Sequence, residues 1–299
     1  MRHFLYVPFT GLGLYNGFRG NRWLKNRIKI FKQFVVPSLE AQTNQNFTIW
    51  VSWRREERGN KQVLLLHEYL LNRFDKVVFT YSGVCFWDDK YEEVEAHDRL
   101  MMSLHSTAQE LVNHVGDVDD VLMTIQPSDD CYRADMVDTM QRIFKHSDYD
   151  GAGYQEGYMM NYQTLDVVTY NPETNPPFFT IRFKKEDFLD PFKHMEHTGP
   201  YKSHEYIVDC MKYKRIYKRG FLVGTHGENI STVFDHPYAG ESRGIFMKLN
   251  FGLKEVEPLK IKYSLRKTIM RKLPYGWQRK LRYLFGERLF ARFYKFIRS

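Results

Sequence analysis

Residues 121–137 read VLMTIQPSDDCYRADMV, an apolar run that leads into a short polar segment, 126–130, and then into a new periodic pattern. The apolar run, 121–125, has the length and β-branched content of a buried strand. The segment 133–146 has the apolar spacing of a helix. Strands that alternate with helices are typical of a parallel sheet, so this stretch predicts an α/β fold.

The rest of the N-terminal half repeats this alternation. Strands are predicted over 3–7, 47–53, 76–81 and 121–125, and helices over 21–33, 61–73, 91–114 and 133–146, with a short helical turn at 37–43. Asn21 is placed to cap the first helix. The order predicts a mainly parallel sheet with helices on both faces.

After residue 150 the chain becomes richer in aromatic and β-branched residues. The segments 154–170 and 177–183, separated by the turn cluster 171–177, predict a β-hairpin insert. A helix over 203–214 and a strand over 221–225 are predicted to follow, and two basic amphipathic helices to close the chain.

The composition is that of a globular protein, since 43% of the 299 residues are hydrophobic and 27% are charged. Cys85, Cys131 and Cys210 are far apart and form no CxxC pair, which favours a reducing compartment over a disulfide framework. The sequence shows neither a signal-peptide pattern nor the ~18–20 consecutive apolar residues of a transmembrane helix. These features predict a cytoplasmic protein.

The positive charge is concentrated near the C-terminal end. Residues 259–299 hold 13 Lys and Arg against one acid, a net charge of +12, whereas residues 1–258 carry −4. Leu265, Trp277, Phe293 and similar residues interleave with the basic ones, which favours peripheral binding to the anionic inner face of a membrane. Packing on the domain with a solvated basic face is the alternative. Nucleic acid is disfavoured, because residues 1–258 are slightly acidic and carry no nucleic-acid motif.

Asp129 and Asp130 follow the fourth predicted strand, at the sheet edge where ligands of open α/β folds bind. A carboxylate pair there can hold a hard divalent cation that also bridges substrate phosphates. The same pair can cap the following helix, because Asp near a helix start accepts backbone N–H groups. The two residues by themselves leave both interpretations open.

Several segments, in order, resemble one family. They are 11-GLGLYNGFRGNRWLKNRIKIFKQFVVPSLEAQTNQNF-47, 49-IWVSWRREER-58, 79-FTYSGVCFWDDK-90, 202-KSHE-205 and 225-THGENIST-232. Together they resemble rhamnosyltransferase-like proteins and, more broadly, family 2-like glycosyltransferases of the GT-A fold. The resemblance covers most of residues 1–235. It implies a GT-A domain over 1–258, with a nucleotide-binding half, 1–130, and an acceptor half, 131–258, followed by the basic tail, 259–299.

The resemblance implies transfer of a sugar from a nucleotide sugar (UDP-, dTDP- or GDP-linked) to a glycan or lipid-linked acceptor in surface polysaccharide or glycoconjugate assembly. It also implies Mn²⁺ or Mg²⁺ on the donor diphosphate, with Asp129 and Asp130 as ligands and His226 at the metal or the diphosphate. For His226, an ordinary turn residue is the alternative. The relatives usually read Asp-Ser-Asp-Asp where this chain has Pro127-Ser128-Asp129-Asp130. That departure motivates an alternative, a catalytically inactive GT-A domain that binds a glycan or a membrane.

Glu205 looks like the general base of an inverting mechanism, and His204 like a residue that orients the acceptor or the diphosphate. Inversion itself is implied by analogy with the family. The structural alternative is that Ser203 caps a helix that begins there.

The candidate nucleotide contacts come from four segments. Glycines of the first loop allow close approach of the backbone to a base or phosphate, and guanidinium groups match phosphate oxygens. A second carboxylate pair follows the third strand, where it can meet a ribose. For Arg19 and Arg27, a solvated helix face is the alternative, most of all for Arg27. The residues are Gly11, Gly13, Arg19, Arg27, Arg54, Asp88, Asp89 and Arg99.

Overall fold

The structure, a computed structural model, describes residues 1–10, 20–82, 107, 109–190, 204–227, 229, 234 and 250–261. The chain divides into two compact units, Met1–Leu259 and Lys260–Ser299. Since only residues 260 and 261 of the second unit are described, the predicted tail helices lie outside the described residues. In the described ranges, no helix combines the length and apolarity that crossing a bilayer requires.

The first unit is built on one sheet. Its described strands are β1 (Arg2–Val7), β2 (Thr48–Arg54), β3 (Val77–Ser82), β4 (Asp120–Ile125), β5 (Cys131–Tyr132), β6 (Gly151–Asn161), β7 (Val167–Tyr170), β8 (Phe179–Lys184) and β9 (Tyr213–Thr225). They lie in the order β3-β2-β1-β4-β8-β6-β9-β5, and β7 pairs with β6.

The described helices are α1 (Gly20–Ile30), α2 (Val36–Glu40), α3 (Lys61–Leu71), α4 (Met136–Lys145), α5 (Lys185–Leu189) and α6 (Ile207–Cys210). A π-helical turn, Phe31–Val35, joins α1 to α2. Because α1 begins at Gly20, Asn21 lies in its first turn, and the prediction that Asn21 is the N-cap is wrong. Residues 109–115 are helical, whereas most of the predicted helix 91–114 lies outside the described residues.

The predicted α/β class with a mainly parallel sheet is confirmed. β3, β2, β1 and β4 are parallel, β6 and β9 are parallel, and β8 runs antiparallel between β4 and β6. Both faces of β1 are buried: Leu5 and Val7 belong to one hydrophobic cluster, Phe4 and Tyr6 to the other. Because β1, β2 and β4 are parallel, their carboxyl ends share one edge of the sheet.

The strands after residue 150 are more than a hairpin insert. β6 and β7 form an antiparallel pair, but β6 also pairs with β8 and β9, inside the main sheet. The predicted helix over 203–214 is wrong beyond residue 210, because β9 starts at Tyr213. The sequence does not indicate a strand here because residues 212–219 include five Lys and Arg residues, and strands carry such residues mainly at sheet edges.

The pairing of β9 with β6 is irregular near the middle of β9. Its register with β6 shifts twice, between Tyr154 and Glu156 and again before Gly157, and each shift adds a residue on the β9 side. Such bulges bend a strand and increase its twist. Beyond the bulges, Leu222 pairs with Cys131 of β5. The end of β9 is thereby brought against the acidic residues that precede β5.

Candidate functional site

The helix-cap interpretation of Asp129 and Asp130 is wrong. β5 separates the two residues from α4, which begins at Met136 and has Asp135 at its N-cap position. Asp129 and Asp130 are instead only 8% and 9% exposed. They belong to a group of polar residues that we call the Asp129 cluster, in which four members are buried and Asn229 is half-buried: Arg27, Asp129, Asp130, His226 and Asn229.

One carboxylate oxygen organises this cluster. Asp129 Oδ2 forms an ion pair with the guanidinium of Arg27 and accepts a hydrogen bond from His226 Nε2 at 2.9 Å. Asn229 Nδ2 lies 3.5 Å from the same oxygen. Arg27 is on α1, Asp129 follows β4, and His226 follows β9. Three residues singled out in the sequence, from segments about 100 residues apart, therefore meet at one atom.

Two hydrogen bonds between backbone and side-chain atoms fix the segment 126–130, which we call the acidic loop, against the ends of β6 and β9. Gly224 N donates to Asp130 Oδ1 at 2.8 Å, and Tyr162 Oη donates to Asp129 O at 2.9 Å. The Tyr162 ring stacks on Phe34, with centroids 3.6 Å apart. Tyr162 and Gly224 are not predicted as site residues, since no local pattern in the sequence links them to residues 129 and 130. Asn229 lies in the 225–232 motif that carried the resemblance.

The two neighbouring carboxyls have opposite pKa shifts. Burial favours protonation of both, but the Arg27 charge and the hydrogen bond from His226 hold the pKa of Asp129 well below its usual range. Burial, reinforced by the negative charge of Asp129, raises the pKa of Asp130 well above its usual value. Asp129 is thus the ionised member of the pair, and Asp130 favours the protonated form.

Replacing Asp130 with asparagine is expected to stabilise the fold above acidic pH. The raised folded-state pKa of Asp130 means that its contribution is fully present below the ordinary value of 3.8 and is lost as pH rises toward the folded pKa. An asparagine side chain has no such cost and can still accept from Gly224. Urea unfolding between about pH 5 and pH 8 should show a gap between Asp130→Asn and wild type that grows by at most about 1.4 kcal/mol per pH unit. A variant less stable than wild type throughout would contradict the assigned protonation.

The residues of the cluster do not fit a divalent cation as they are arranged. Asp129 Oδ2 already receives a guanidinium and the His226 N–H, and Asp130 Oδ1 receives a backbone N–H. In the described part of the chain, no group of three His, Cys, Asp or Glu side chains is placed to hold a metal ion. A cation at Asp129 would also lie beside the fixed positive charge of Arg27.

His204 and Glu205 lie in a second polar cluster. His204 Nδ1 donates to Asn175 O at 2.6 Å, Asn175 Nδ2 donates to His204 O at 2.9 Å, and Thr174 Oγ1 donates to Glu205 Oε1 at 3.1 Å. Because a carbonyl only accepts, the Nδ1 proton of His204 is fixed by Asn175. A 3-10 helical turn, His204–Tyr206, runs directly into α6, so a helix does begin at this point of the chain. Ser203 lies outside the described residues, and its role as the cap stays a prediction.

The structure does not bring Glu205 to the Asp129 cluster. Asn175 is hydrogen-bonded to Gln155 of β6, which lies between the positions paired with Ile216 and Arg219 of β9. Gly224 is five residues beyond Arg219, about 16 Å along a strand that rises ~3.3 Å per residue. The role of Glu205 as a base stays a prediction.

The remaining candidate nucleotide contacts belong to the predicted nucleotide-binding half, residues 1–130. Arg54 ends β2, where its backbone N–H donates to Thr10 Oγ1 at 3.0 Å and its Nε lies 3.3 Å from Glu56. It therefore shares the carboxyl edge with the Asp129 cluster. The other candidates, Gly11, Gly13, Arg19, Asp88, Asp89 and Arg99, lie outside the described residues.

Two further polar atoms are buried next to the acidic pair. Ser128 Oγ and Gln126 Oε1 have no hydrogen-bond partner within the described part of the chain. Ser128 is 2% exposed and Gln126 is fully buried. Since buried polar groups in native proteins are nearly always paired, these atoms are candidates for contact with a ligand.

A family model described as "Putative rhamnosyl transferase" matches residues 18–56. The resemblance to rhamnosyltransferase-like proteins is thus confirmed for the segment that runs from the first loop through α1 to the end of β2. A search of curated protein sequences gave no match.

Solved structures give more distant likenesses. The crystal structure of S. aureus TarS 1-349 has a TM-score of 0.41 and 14% identity, covering 75% of this chain and 60% of that one. The same fragment in complex with UDP-GlcNAc has a TM-score of 0.39 and 15% identity, covering 79% and 62%. A nucleotide-diphospho-sugar transferase from Desulfovibrio desulfuricans G20 has a TM-score of 0.36 and 11% identity, covering 75% and 80%. The chain thus spans about 60% of the TarS fragment.

Proposed function

We propose that the chain is a glycosyltransferase that moves a sugar from a nucleotide-sugar donor to a glycan or lipid-linked acceptor, with the Asp129 cluster at the donor site. The observation that carries this proposal is the meeting of Arg27, Asp129 and His226 at one carboxylate oxygen. Arg27 lies within the matched segment 18–56, so the cluster joins that segment to the acidic loop.

The position of the cluster supports the same function. It lies beyond the carboxyl end of β4, where open α/β sheets bind their ligands. Arg54, at the end of β2, adds a cation to the same edge. Ser128 Oγ and Gln126 Oε1 supply buried polar atoms that a donor could satisfy. Cations and polar groups at the carboxyl edge of the sheet can bind the diphosphate of an activated sugar.

A panel of UDP-, dTDP- and GDP-linked sugars tests the proposal. We expect at least one to raise the melting temperature and to be hydrolysed slowly without acceptor, because water can replace the acceptor hydroxyl. The variant Glu205→Gln separates binding from catalysis. If Glu205 is the base of an inverting reaction, the variant should keep the nucleotide-induced thermal shift and lose turnover by ~10²–10⁴-fold.

Absence of both the thermal shift and hydrolysis for every donor would contradict the proposal. A thermal shift with no turnover under any condition would favour the alternative, an inactive domain that binds but does not transfer. Equal turnover by Glu205→Gln and wild type would remove Glu205 from the mechanism and leave the proposal standing. Metal dependence needs a separate test, because the arranged residues do not fit the ion.

A further inference from the structure

We propose that Arg27 takes the place of the divalent cation at Asp129, so that the chain binds its nucleotide donor without a metal ion. Asp129 is then a positioning residue that holds the cationic side chain of Arg27 and orients His226. This inference rests on the proposed function, because the donor site it describes is the same cluster.

The first support is the position of the guanidinium. It pairs with Asp129 Oδ2, an atom that a metal would need, and the side chain of Arg27 is only 2% exposed. For a metal to bind, Asp129 would have to release Arg27 and leave a buried guanidinium without its counter-charge. Breaking a buried ion pair in this way is strongly unfavourable, so the ion pair competes directly with metal binding.

The second support is the way in which Arg27 is held. Its neighbours on α1, Leu24 and Ile28, are buried against the core, which fixes the helix. The guanidinium carbon also lies 5.5 Å from the centroid of the Trp23 ring, a cation–π arrangement. The charge is therefore fixed in place by packing before any ligand arrives, as electrostatic stabilisation of a leaving group requires.

The third support is the other carboxyl. Asp130 Oδ1 accepts the N–H of Gly224, a backbone contact that locks this side chain onto β9. His226 is used in the same way, because its Nε2 donates to Asp129 and is not available as a metal ligand. Each of the three residues predicted to bind the metal thus has one of its possible ligand atoms engaged by a protein group.

The chemistry of a guanidinium suits the role. It is charged at every physiological pH and presents five N–H donors in a fork, so it can serve more than one acceptor at once. A diphosphate oxygen and a carboxylate oxygen are both such acceptors. The fixed charge can therefore stabilise the negative charge that develops on a diphosphate leaving group.

Metal-free binding of UDP, dTDP and GDP tests the inference. Protein stripped of metal with EDTA is titrated calorimetrically with each nucleotide, once in EDTA and once in Mn²⁺. In a separate sample without nucleotide, electron paramagnetic resonance measures free Mn²⁺ and so reports how much the protein binds. For wild type we expect dissociation constants in the two conditions within about threefold of each other and no Mn²⁺ uptake. Arg27→Lys, which keeps the charge but loses the fork, should bind the nucleotide about tenfold more weakly.

The outcomes distinguish failure of this inference from failure of the proposed function. A nucleotide that binds wild type at least about tenfold more tightly with Mn²⁺ than with EDTA would overturn the inference while supporting the donor site. Affinity of Arg27→Lys equal to wild type would also overturn it. If no nucleotide binds under either condition, the proposed function fails and the inference fails with it. Arg27→Gln/Asp129→Asn, which removes both charges, provides a folded comparison in case Arg27→Lys is unstable.

Discussion

Arg27→Gln is expected to lower the free energy of unfolding by about 3–5 kcal/mol, because it leaves the ionised Asp129 buried without its cation. Burial favours the protonated form of the Asp129 carboxyl. The charge of Arg27 is the main effect that opposes burial and keeps the pKa of Asp129 low. Without that charge, the carboxyl must either stay ionised in a buried site or take up a proton. Urea unfolding at neutral pH, followed by circular dichroism, measures the loss.

Two variants make this prediction specific. Arg142→Gln breaks the exposed pair between Arg142 and Asp138, whose side chains are 64% and 49% exposed, and should cost less than about 1 kcal/mol. Arg27→Gln/Asp129→Asn should recover much of the loss, because no charge is then left unpaired. An Arg27→Gln variant as stable as Arg142→Gln would show that the buried pair does not hold the cluster together.

Gly224→Ala is expected to disrupt both the fold and the Asp129 cluster. A Cβ at this position would lie 2.3 Å from two atoms of the Tyr162 ring and 2.4 Å from Asp129 O. The backbone oxygen cannot move without shifting the acidic loop, and the ring is stacked on Phe34. We expect a loss of about 1–3 kcal/mol or more on unfolding, as for overpacked cores, together with a weaker nucleotide-induced thermal shift.

Gly59→Ala is the control for this substitution, since nothing lies within 4 Å of a Cβ built there. Its stability should stay within about 0.5 kcal/mol of wild type. If Gly224→Ala behaved like Gly59→Ala in both stability and nucleotide binding, the close approach of β9 to the acidic loop would not matter for the site.

The sequence predicts the first half of the sheet well because local patterns specify it. The strands at 3–7, 47–53, 76–81 and 121–125 are short apolar or alternating runs, and each is found within two residues at either end. The second half is harder. β9 contains Lys214, Arg215, Lys218 and Arg219, so its charge hides the strand, and its identity depends on long-range pairing with β6.

The candidate site is predictable only in part for the same reason. Asp129 and His226 are predicted from a strand end and from the family motifs, but their contact depends on the pairing of β9 with β6 and β5 beyond two register shifts. The sequence also predicts Arg27 as a donor contact but gives no sign that it binds Asp129, since a helix position does not reveal what covers it. That ion pair is the basis of the proposal that a fixed cation replaces the metal ion.

Hydrogen exchange of the nucleotide-bound protein tests the central claim most directly, namely that the donor binds at the Asp129 cluster. Peptides covering residues 126–132 and 221–227 should become more protected when a saturating nucleoside diphosphate is added, while the second polar cluster around Asn175 and His204 should change little. Protection confined to the Asn175 region, or bound nucleotide with no change in 126–132, would contradict the account.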